Sequence, residues 1–366
     1  MTTVKKLPAL ALSMLLAAPL GGHAAPAAGA LPPLFQVTLL PTELNGANSM
    51  NQAGHVVGSG MTSVWLWTEA GSRQLAAVNT GYSDGLGINS RDDVAGTSYG
   101  NAGGIAFANI GGAVQDIGAA APDFRSSFAR RINDNGWVVG ALYDGRGIES
   151  RPFIYRNGSV QVLPTLGGNA GSAFAVSNRG HVTGQAALPT TQPFSGGGNA
   201  FLYFGGTMTG LGALPGDDSS SGLDVNERGD VVGVSSQASQ GGSRGFLFSR
   251  GRMVNLGSLG GSFTDALAIN NAGVVVGRSY TAGNAAERGF IYAYGRMIDL
   301  NRLVRSSGGR VITAGLDIND AFQILVRACS VDGTDCRSLR LEPPSGPGRH
   351  RLQSWLREMA AGAGAR

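Results

Sequence analysis

Residues 268–277 read AINNAGVVVG, and six further stretches of the chain follow the same pattern. The seven copies start 38, 44, 44, 49, 44 and 49 residues apart and occupy 49–58, 87–96, 131–140, 175–184, 224–233, 268–277 and 317–326. The last copy, DINDAFQILV, departs most from the others. Self-similarity at a period of about 20–50 residues is the signature of a repeat architecture, so this repeat decides the fold.

Each copy of the motif predicts a hairpin. In the sixth copy, Asn270 can begin a type I turn by bonding its side chain to nearby backbone, and Gly273 can take the left-handed conformation that completes a bulged turn. We therefore expect turn geometry, not catalysis, to require this Asn and Gly. Where Asp92 or Phe322 replaces the glycine, we expect the turn to change, because a bulky residue tolerates a positive φ badly.

The second half of each repeat predicts two more short strands. The Asn-Gly pair within RPFIYRNGSVQVL (151–163) marks a two-residue hairpin, since both positions favour positive φ. In RGFIYAYGRMIDL (288–300), Phe290 and Tyr292 would point to one face of the strand and Ile291 to the other. A strand that is apolar on both faces suits a sheet packed between two others. Each repeat of about 44 residues therefore predicts a four-stranded meander, the size of a propeller blade.

The two ends of the repeat region predict a closed ring. FQVTLL (35–40) resembles a fourth strand without its first three, and CRSLRLE (336–342) ends the last copy at its third strand. The amino-terminal strand would then complete the seventh blade. We predict an all-β fold, a seven-bladed β-propeller over residues 35–342. A β-solenoid is the alternative, although its coils are usually shorter and its terminal edges need caps.

The composition agrees with a mostly β chain. Of 366 residues, 59 are Gly and only 14% are charged, whereas 42% are apolar. Each glycine costs about 0.5–1 kcal/mol in a helix relative to alanine, which excludes a helical domain. Disorder would show low hydrophobicity and high net charge, so it is excluded as well.

The amino terminus reads as a targeting segment. Lys5 and Lys6 precede the apolar stretch 7–20, which is followed by small residues and is too short for a spanning helix of about 20 apolar residues. We predict a signal peptide at 1–24 and a linker at 25–34, with the cleavage point left open by further small residues. The mature protein would be secreted or periplasmic, with no membrane span once the signal is removed.

The charge of the expected mature chain excludes a nucleic-acid-binding face. Lys5 and Lys6 are the only lysines, so 26 basic residues remain, all arginine, against 24 acidic residues. Four of these arginines lie in the last 18 residues, which leaves the body close to neutral. The segment 343–366 departs from the repeat and predicts a linker followed by a short amphipathic or disordered tail.

The two cysteines lie seven residues apart in ACSVDGTDCR (328–337). A loop of this length between them suits a disulfide that joins two hairpin strands, and an oxidising compartment permits the bond. The alternative is a two-thiol metal site, which would need His or Cys partners that are not nearby in sequence. We predict a disulfide between Cys329 and Cys336.

The repeats resemble those of the HAF family of bacterial extracellular proteins. The family pairs an Ile-Asn-x-x-Gly-x-Val-Val-Gly half with a His-Ala-Phe-Leu-Tyr…Leu-Gly-x-Leu-Gly-Gly half, and AINNAGVVVG and NAFLYFGGTMTGLGAL (199–214) are similar to these. The resemblance spans about 35–342 and implies secretion, but no general activity or cofactor. No His-Ala-Phe triplet occurs here, so a role of that histidine does not carry over to its positions, Arg151, Asn199, Arg244 and Arg288.

Alternate connections of a four-stranded meander lie at opposite ends of the strands. The Asn-x-x-Gly turn and the short turn before the last strand share one face of the predicted disc, and the two long, variable connections share the other. Binding residues commonly lie on variable loops of a rigid scaffold, and Tyr and Arg there suit sugar or peptide recognition. The candidates, which could also be ordinary polar loop residues, are Tyr99, Tyr143, Asp144, Arg146, Asp217, Asp218 and Tyr280.

The other ingredients of a chemical site are sparse. We expect no cofactor; Ca²⁺ at Asp217 and Asp218 is the alternative, but adjacent carboxylates lack the alternating ligand spacing of a known loop. Three arginines that recur in phase, Arg151, Arg244 and Arg288, are expected to pair with carbonyls or acids of a neighbouring blade, the alternative being that they ring the binding face. His55 and His181 occupy a tolerant repeat position, so we interpret them as strand surface, not as catalysts.

These patterns favour an exported, non-enzymatic propeller that binds an extracellular glycan, peptide or envelope protein through the long-loop face. No catalytic residue is assigned, because the sequence has no nucleophile elbow, His-Glu-x-x-His pair or phosphate loop. The alternative is a polysaccharide hydrolase or lyase, in which Asp144, Asp217 and Asp218 would supply the carboxylates. A third interpretation is a structural envelope component that docks through the tail.

Overall fold

The computed structural model describes residues 35–343, apart from positions 45, 61, 79–80, 102, 146–148, 190–196 and 238–240, together with Ser354. The expected signal peptide and linker lie outside the described residues, as does the tail apart from Pro343 and Ser354. In the described part of the chain, no helix is long and apolar enough to cross a membrane.

The described strands form seven four-stranded antiparallel sheets, which are the blades of a closed propeller and are numbered here in chain order. This confirms the predicted fold. Blades 1 to 3 contain β2 (Gly46–Met50), β3 (Val56–Ser59), β4 (Val64–Thr68), β5 (Gly71–Leu75), β6 (Ser83–Ile88), β7 (Val94–Gly100), β8 (Gly103–Ile110), β9 (Ala113–Asp116), β10 (Ser126–Ile132), β11 (Val138–Tyr143), β12 (Ser150–Arg156) and β13 (Ser159–Val162). Blades 4 and 5 contain β14 (Gly171–Val176), β15 (Val182–Ala187), β16 (Gly198–Phe204), β17 (Thr207–Gly212), β18 (Ser219–Val225), β19 (Val231–Ser236), β20 (Arg244–Ser249) and β21 (Arg252–Asn255). Blades 6 and 7 contain β22 (Gly260–Ile269), β23 (Val275–Thr281), β24 (Glu287–Ala293), β25 (Arg296–Asp299), β26 (Val311–Ile318), β27 (Ile324–Cys329), β28 (Cys336–Glu342) and β1 (Gln36–Leu39).

The two chain ends meet in the seventh blade, as the sequence predicts. Strand β1 pairs antiparallel with β28, in a register that places Gln36 opposite Glu342 and Leu39 opposite Leu339. The sheet order is β1-β28-β27-β26, so the first strand of the chain is the fourth strand of its last blade. In the same blade, Cys329 and Cys336 lie opposite each other on β27 and β28 and form the predicted disulfide.

The core lies between the blades. In blades 2 to 6, a phenylalanine of the third strand is completely buried, and it faces the last glycine of the preceding motif. A Cβ atom on Gly140, for example, would lie 1.9 Å from the Phe128 carbonyl oxygen and 2.9 Å from the Phe153 ring. Close approach of the first strand and the aromatic ring therefore explains why the motif ends in glycine.

The motif turns have the predicted form, including the two in which another residue replaces the glycine. In blade 1, Asn51 Oδ1 accepts hydrogen bonds from the backbone N–H groups of Ala53 and His55, and Gly54 has a φ of +85°. The expectation that Asp92 and Phe322 would change the turn was wrong. Both keep a positive φ, 64° and 62°, and both backbone N–H groups donate to the repeat Asn carbonyl. The Phe322 ring is buried, and this burial offsets a strain of about 1–3 kcal/mol.

The repeat asparagines also join neighbouring blades, which the sequence did not predict. Each side-chain amide donates to the main-chain carbonyl of the equivalent residue in the next blade, at 2.9–3.3 Å, and we call this ring of bonds the asparagine belt. Its links run from Asn51 to Asn89, Asn89 to Asn133, Asn133 to Ser177, Asn226 to Asn270, Asn270 to Asn319 and Asn319 to Asn51. The belt is interrupted after Ser177, whose short side chain carries no amide.

A second contact at the junction of blades 7 and 1 comes from Arg340 on β28. Its guanidinium donates to the Gly54 carbonyl and to Glu69, and it stacks over the Trp67 ring at 4.7 Å. The Arg340 side chain is only 7% exposed, so this charge is committed to the junction. The ring is thus closed by the β1 pairing, by the asparagine belt and by Arg340.

Replacing Asn133 by Ser tests the belt. A serine oxygen can still accept the turn N–H, as Ser177 does in blade 4, but the bond to the Ser177 carbonyl is lost. We expect the free energy of unfolding to fall by about 0.5–1.5 kcal/mol, the net contribution of one hydrogen bond, because the Ser177 carbonyl still accepts the Gly180 N–H group. Urea denaturation measures this, with Asn101→Ser at an exposed position as the control. Equal stability of the two variants would contradict the role of the belt.

Replacing Arg340 by Ala tests the junction of the chain ends. We expect a loss of about 2–3 kcal/mol in the free energy of unfolding, because a buried carbonyl loses its donor and an aromatic ring loses its stacked cation. Arg73→Ala on exposed β5 of blade 1 removes the same charge without these contacts. Chemical denaturation measures the free energy of unfolding of both variants. If Arg340→Ala loses no more of it than Arg73→Ala, the Arg340 contact does not secure the ring.

Candidate functional site

The blade topology divides the connections between two faces. The Asn-x-x-Gly turns and the turns between the third and fourth strands lie on one face, which we call the Asn-turn face. The connections from second to third strand, and from each blade to the next, lie on the opposite long-loop face. The predicted candidates come from the long-loop face, and we describe this face first.

Four aromatic rings lie in a row on the long-loop face, and we call them the tyrosine patch: Tyr82, Tyr99, Phe128 and Tyr143. Their successive centroid distances are 5.5, 6.1 and 5.3 Å. Tyr99 and Tyr143 end the second strands of blades 2 and 3, and Phe128 on β10 lies between them. The structure therefore brings two of the predicted residues together through a third ring.

Local sequence explains how the central ring is seated. Gly104 on β8 faces the Phe128 ring so closely that an added Cβ atom would lie 2.4 Å from it. A glycine at this position lets the ring enter between blades 2 and 3. Tyr82 at the outer end of the patch is 45% exposed, whereas Tyr99, Phe128 and Tyr143 are half-buried, so the patch is a shallow aromatic surface.

The hydroxyl groups of Tyr82 and Tyr99 are held neutral. Tyr82 donates a hydrogen bond of 2.6 Å to Asp84, and this bond, together with partial burial, raises the pKa of Tyr82 to about 12. Burial and the Asp84 charge raise the pKa of Tyr99, although Arg130 opposes the shift. Both phenols therefore remain hydrogen-bond donors throughout the physiological pH range.

A second aromatic pair and a cleft lie elsewhere on the long-loop face. The predicted residue Tyr280 packs against Phe263 at 5.4 Å between ring centroids, and Phe263 is partly exposed. Next to this pair, Ser262 and Thr264 line a cleft of about 320 Å³ between blades 5 and 6. Asp217 also lines this cleft.

The predicted carboxylates are not brought together. The side chain of Asp217 is buried, its oxygens lie 2.6 Å and 3.1 Å from the Arg244 guanidinium, and it accepts a bond from Ser235. Asp218 follows it in the same connection, whereas Asp144 lies between the second and third strands of blade 3. Arg146 lies outside the described residues. In the described part of the chain, no three His, Cys, Asp or Glu side chains group as metal ligands.

The three phased arginines make structural pairs: Arg151 and Arg244 bond groups in the connections between blades, as expected, whereas Arg288 pairs within its own blade, contrary to the expectation. Arg244 bonds Asp217 and the Pro215 carbonyl, and Arg151 bonds the Asn169 carbonyl in the connection to the next blade. Arg288 lies 3.9 Å from Asp299 and donates to the Glu287 carbonyl. Each of these arginines is therefore already paired within the scaffold.

The two repeat histidines also make structural contacts. His55 Nδ1 lies 2.8 Å from Asp92, and His55 Nε2 lies 3.3 Å from Glu69. His181 stacks on Phe204, and partial burial lowers the pKa of its imidazole. These contacts agree with the interpretation of the two residues as strand surface.

The axis of the ring holds a site that the sequence did not predict. The first strand of each blade has a β-bulge shortly before the repeat Asn, or before Ser177 in blade 4. The residue that directly follows this bulge lies two positions before the Asn or Ser. A bulge re-aims side chains, and residues of all seven blades line a cavity of about 150 Å³ there, at the Asn-turn face. Around the ring, the residues at this axial position are Ser49, Gly87, Arg131, Ala175, Asp224, Ala268 and Asp317.

Arg131 crosses the axial cavity to the opposite side of the ring. From blade 3, its guanidinium donates to Ser49 Oγ and lies 3.3 Å from Asp317 Oδ2 in blade 7. The same Asp317 oxygen accepts bonds of 3.0 Å from Ser49 Oγ and from the Met50 N–H group. Asp317 and Ser49 thereby hold the arginine head in a fixed position.

Asp224 is the second axial carboxylate, and its surroundings differ. Its Oδ2 accepts a bond of 2.9 Å from the Ile269 N–H group, and none of the described cations lies within 4.0 Å of it. Burial raises the pKa of Asp224 to about 6; the Arg131 charge opposes this shift and the Asp317 charge adds to it. One axial carboxylate is thus paired, while the other titrates near neutral pH.

A polar rim surrounds the mouth of the cavity. At six of the seven blade junctions, the side chain of the residue after the repeat position accepts a bond from the backbone N–H group of its counterpart in the preceding blade. These bonds run from Ser90 to Asp134, Asp134 to Asn178, Asn178 to Glu227, Glu227 to Asn271, Asn271 to Asp320 and Asp320 to Gln52. These bonds fix three carboxylates at the mouth.

Sequence reasoning missed the axial residues because they lie about 44 residues apart. One signal was available: at the axial position the other copies hold only Ser, Gly or Ala, whereas three copies hold Arg131, Asp224 and Asp317. A charged residue at a repeat position that is otherwise small indicates a place where the blades converge. Phe128 was missed because it lies on a first strand, and Tyr82, in the connection from blade 1 to blade 2, was missed because its contact with Tyr99 depends on tertiary packing.

The sequence matches no family model and no curated protein. Solved structures that resemble the fold include YCF48 bound to D1 peptide, at 11% identity over 85% of this chain and 96% of that chain, with a TM-score of 0.51. Others are the extracellular domain of a one-component system from B. thetaiotaomicron (10% identity, 86% and 40% coverage, TM-score 0.49) and TolB from Acinetobacter baumannii (11% identity, 87% and 65% coverage, TM-score 0.41).

This chain spans less than two thirds of the length of the extracellular domain and of TolB. At about one identical residue in ten, the likeness to YCF48 shows the fold alone.

Replacing Asp224 by Asn tests the charge state of the axial cavity. Because the folded-state pKa is raised, the native protein binds the Asp224 proton more tightly than the unfolded chain, and wild-type stability falls as pH rises through about 6. The variant avoids this loss, so we expect it to be more stable than wild type by about 3 kcal/mol at pH 8 and nearly equal to it at pH 4. Denaturation at both pH values measures this, with exposed Asp123→Asn as the control. A difference that does not depend on pH would contradict the assignment.

Proposed function

We propose that the protein is exported and acts outside the cytoplasm as a binding propeller, with the tyrosine patch on the long-loop face as its principal contact surface. The observation that carries this proposal is the row of four adjoining rings across blades 2 and 3. Aromatic side chains that are partly exposed on a rigid scaffold offer large contact areas at a low entropic cost.

The chemistry of the patch favours a ligand with both apolar faces and hydroxyl or amide groups. The rings can stack on a sugar or on a planar side chain, and the phenol oxygens can accept hydrogen bonds, whereas the Tyr82 proton is already donated to Asp84. Asp84 and Arg130 beside the patch add one acceptor and one set of donors. We propose an extracellular glycan as the ligand class. The experiment described below also includes peptides with aromatic residues.

Export is supported by two features. The apolar stretch 7–20 has the length and flanks of a signal peptide, and the Cys329–Cys336 disulfide is typical of an oxidising compartment. The resemblance of the repeats to the HAF family leads to the same proposal. Choosing between the periplasm and the medium requires fractionation of the producing cells.

The contacts on the long-loop face do not favour the alternative of a hydrolase or lyase built on loop carboxylates. Asp217 has both oxygens engaged by Arg244 and Ser235, so it is poorly placed to act as an acid or a nucleophile. Its neighbour Asp218 and the more distant Asp144 belong to different connections. We therefore retain binding as the proposed function.

A glycan array, paired with an array of aromatic peptides, tests the proposal on the mature protein. We expect at least one extracellular glycan to bind, and the double variant Tyr82→Ala, Tyr143→Ala to bind it at least tenfold more weakly, because the two ends of the ring row are removed. Tyr99→Phe, which keeps the central ring, should retain most of the affinity.

The control is Tyr294→Ala, which removes an exposed tyrosine from the opposite face. Melting temperatures of all variants show whether the fold is intact. Binding that survives the double variant would place the ligand elsewhere, and absence of any bound glycan or peptide would overturn the proposal.

A further inference from the structure

The axial cavity is unlike the tyrosine patch in position and in chemistry. It lies at the Asn-turn face, and its walls are first strands and motif turns, not variable loops. Its volume of about 150 Å³ corresponds to about five water molecules. A ligand for this cavity must therefore be small, or must insert a slender group along the axis.

The cavity carries an excess of negative charge. Five carboxylates and one guanidinium line it, with Asp134, Glu227 and Asp320 at the rim and Asp224, Asp317 and Arg131 on the axis. The rim oxygens accept bonds from backbone N–H groups, which hold the carboxylates in place without neutralising them. A concave site lined by one sign of charge focuses the field on its opening and attracts a counter-ion.

The neighbouring arginines of the Asn-turn face do not cancel this charge. Arg91 and Arg228 project from the motif turns, but each is paired with a carboxylate of its own blade, Asp93 at 2.9 Å and Asp230 at 2.8 Å. Within the cavity, Arg131 is committed to Asp317 and Ser49. Of the two axial carboxylates, Asp317 is paired with Arg131, whereas Asp224 has no described cation within 4.0 Å.

The donor set argues against two other ligand classes. Among the described residues, no three carboxylates, imidazoles or thiols group closely enough to hold a metal ion. None of the residues that line the cavity is Trp, Tyr or Phe, so a sugar ring would find no aromatic face for stacking. A compact organic cation satisfies both observations, because an ammonium group needs only one counter-ion and a few acceptor oxygens.

We propose that the axial cavity binds a primary ammonium group carried on a slender alkyl chain, with Asp224 as its counter-ion. The rim carboxylates attract the cation to the mouth. Arg131 acts as a positioning residue, since it holds Asp317 and limits the depth of the site. A free diamine and a lysine side chain share this chemistry.

The occupancy of the site depends on pH. Asp224 faces Arg131 from β10 and Asp317 from β26, with Asp134, Glu227 and Asp320 at the mouth. At pH 5 about a tenth of Asp224 is ionised, given a pKa of about 6, and at pH 7.5 nearly all of it is. An ammonium ligand should therefore bind about tenfold more tightly at pH 7.5 than at pH 5, with proton release on binding below neutral pH.

Calorimetric titration of the mature protein with putrescine tests the proposal, at low salt and at pH 7.5 and pH 5. We expect saturable binding with one site, weakened about tenfold at the lower pH. Asp224→Asn should bind at least tenfold more weakly at pH 7.5 and lose the pH dependence. A short peptide containing a single lysine, compared with its acetylated form, distinguishes a lysine side chain from a free diamine.

Two controls make the outcome decisive. Asp123→Asn removes an equal charge from the opposite face and should leave putrescine binding unchanged. The double variant Tyr82→Ala, Tyr143→Ala should also leave it unchanged, so failure of the tyrosine patch and failure of the axial site are separate results. Absence of binding by putrescine and by the lysine peptide at pH 7.5, or binding that Asp224→Asn does not weaken, would overturn the proposal.

Discussion

The propeller depends on one hydrogen bond that is repeated around the ring, from the side-chain amide of each motif Asn to the main chain of the next blade. The oxygen of the same amide organises the turn, so one residue folds its own blade and fastens the neighbouring one. Aspartate would supply only the oxygen. Ser177 demonstrates this division, because its hydroxyl accepts the turn N–H but makes no belt bond to Asn226. Asn recurs in six of seven motifs because both ends of the amide are used.

The asparagine belt also determines which side chains lie at the axis of the ring. First strands that are joined at their ends must converge, and the bulge in each strand then sets a side chain beside the axis. Small residues at this position leave space for the axial cavity, and charged residues at this position line it. The same constraint that closes the ring therefore creates a site, although nothing in the motif itself carries chemistry.

The fold could be predicted from the sequence because its signals are local and repeated. The Asn-x-x-Gly turn, the apolar strands and the two incomplete ends each occupy a few adjacent residues, and together they predict seven blades and the β1 closure. The cysteine spacing predicts the disulfide in the same way. Phe322 was judged wrongly, because its strain is local whereas the burial that offsets it is tertiary.

The candidate sites could be predicted only in part, because contacts between blades bring their residues together and local sequence patterns do not show such contacts. Tyr99 and Tyr143 were found because they end strands beside long loops, yet their link through Phe128 depends on packing between two blades. Asp217 is a charged residue in a long connection, as a binding residue would be, but its carboxylate is paired with Arg244, 27 residues away. Arg131 and Asp317 are 186 residues apart and meet only because the ring closes.

Strand β10 connects the two surfaces. Phe128 belongs to the tyrosine patch and Arg131 to the axial cavity, three residues further along, and the bulge between Ala129 and Arg131 separates them. Because this strand is held by its sheet and by the belt, each surface is presented without rearrangement of the other. Loops can then vary at one face without disturbing the axis, whereas axial chemistry changes only through residues on the strands. A repeat scaffold of this kind can acquire a second site by single substitutions at a small position, as Asp224 shows beside Ala175 and Ala268.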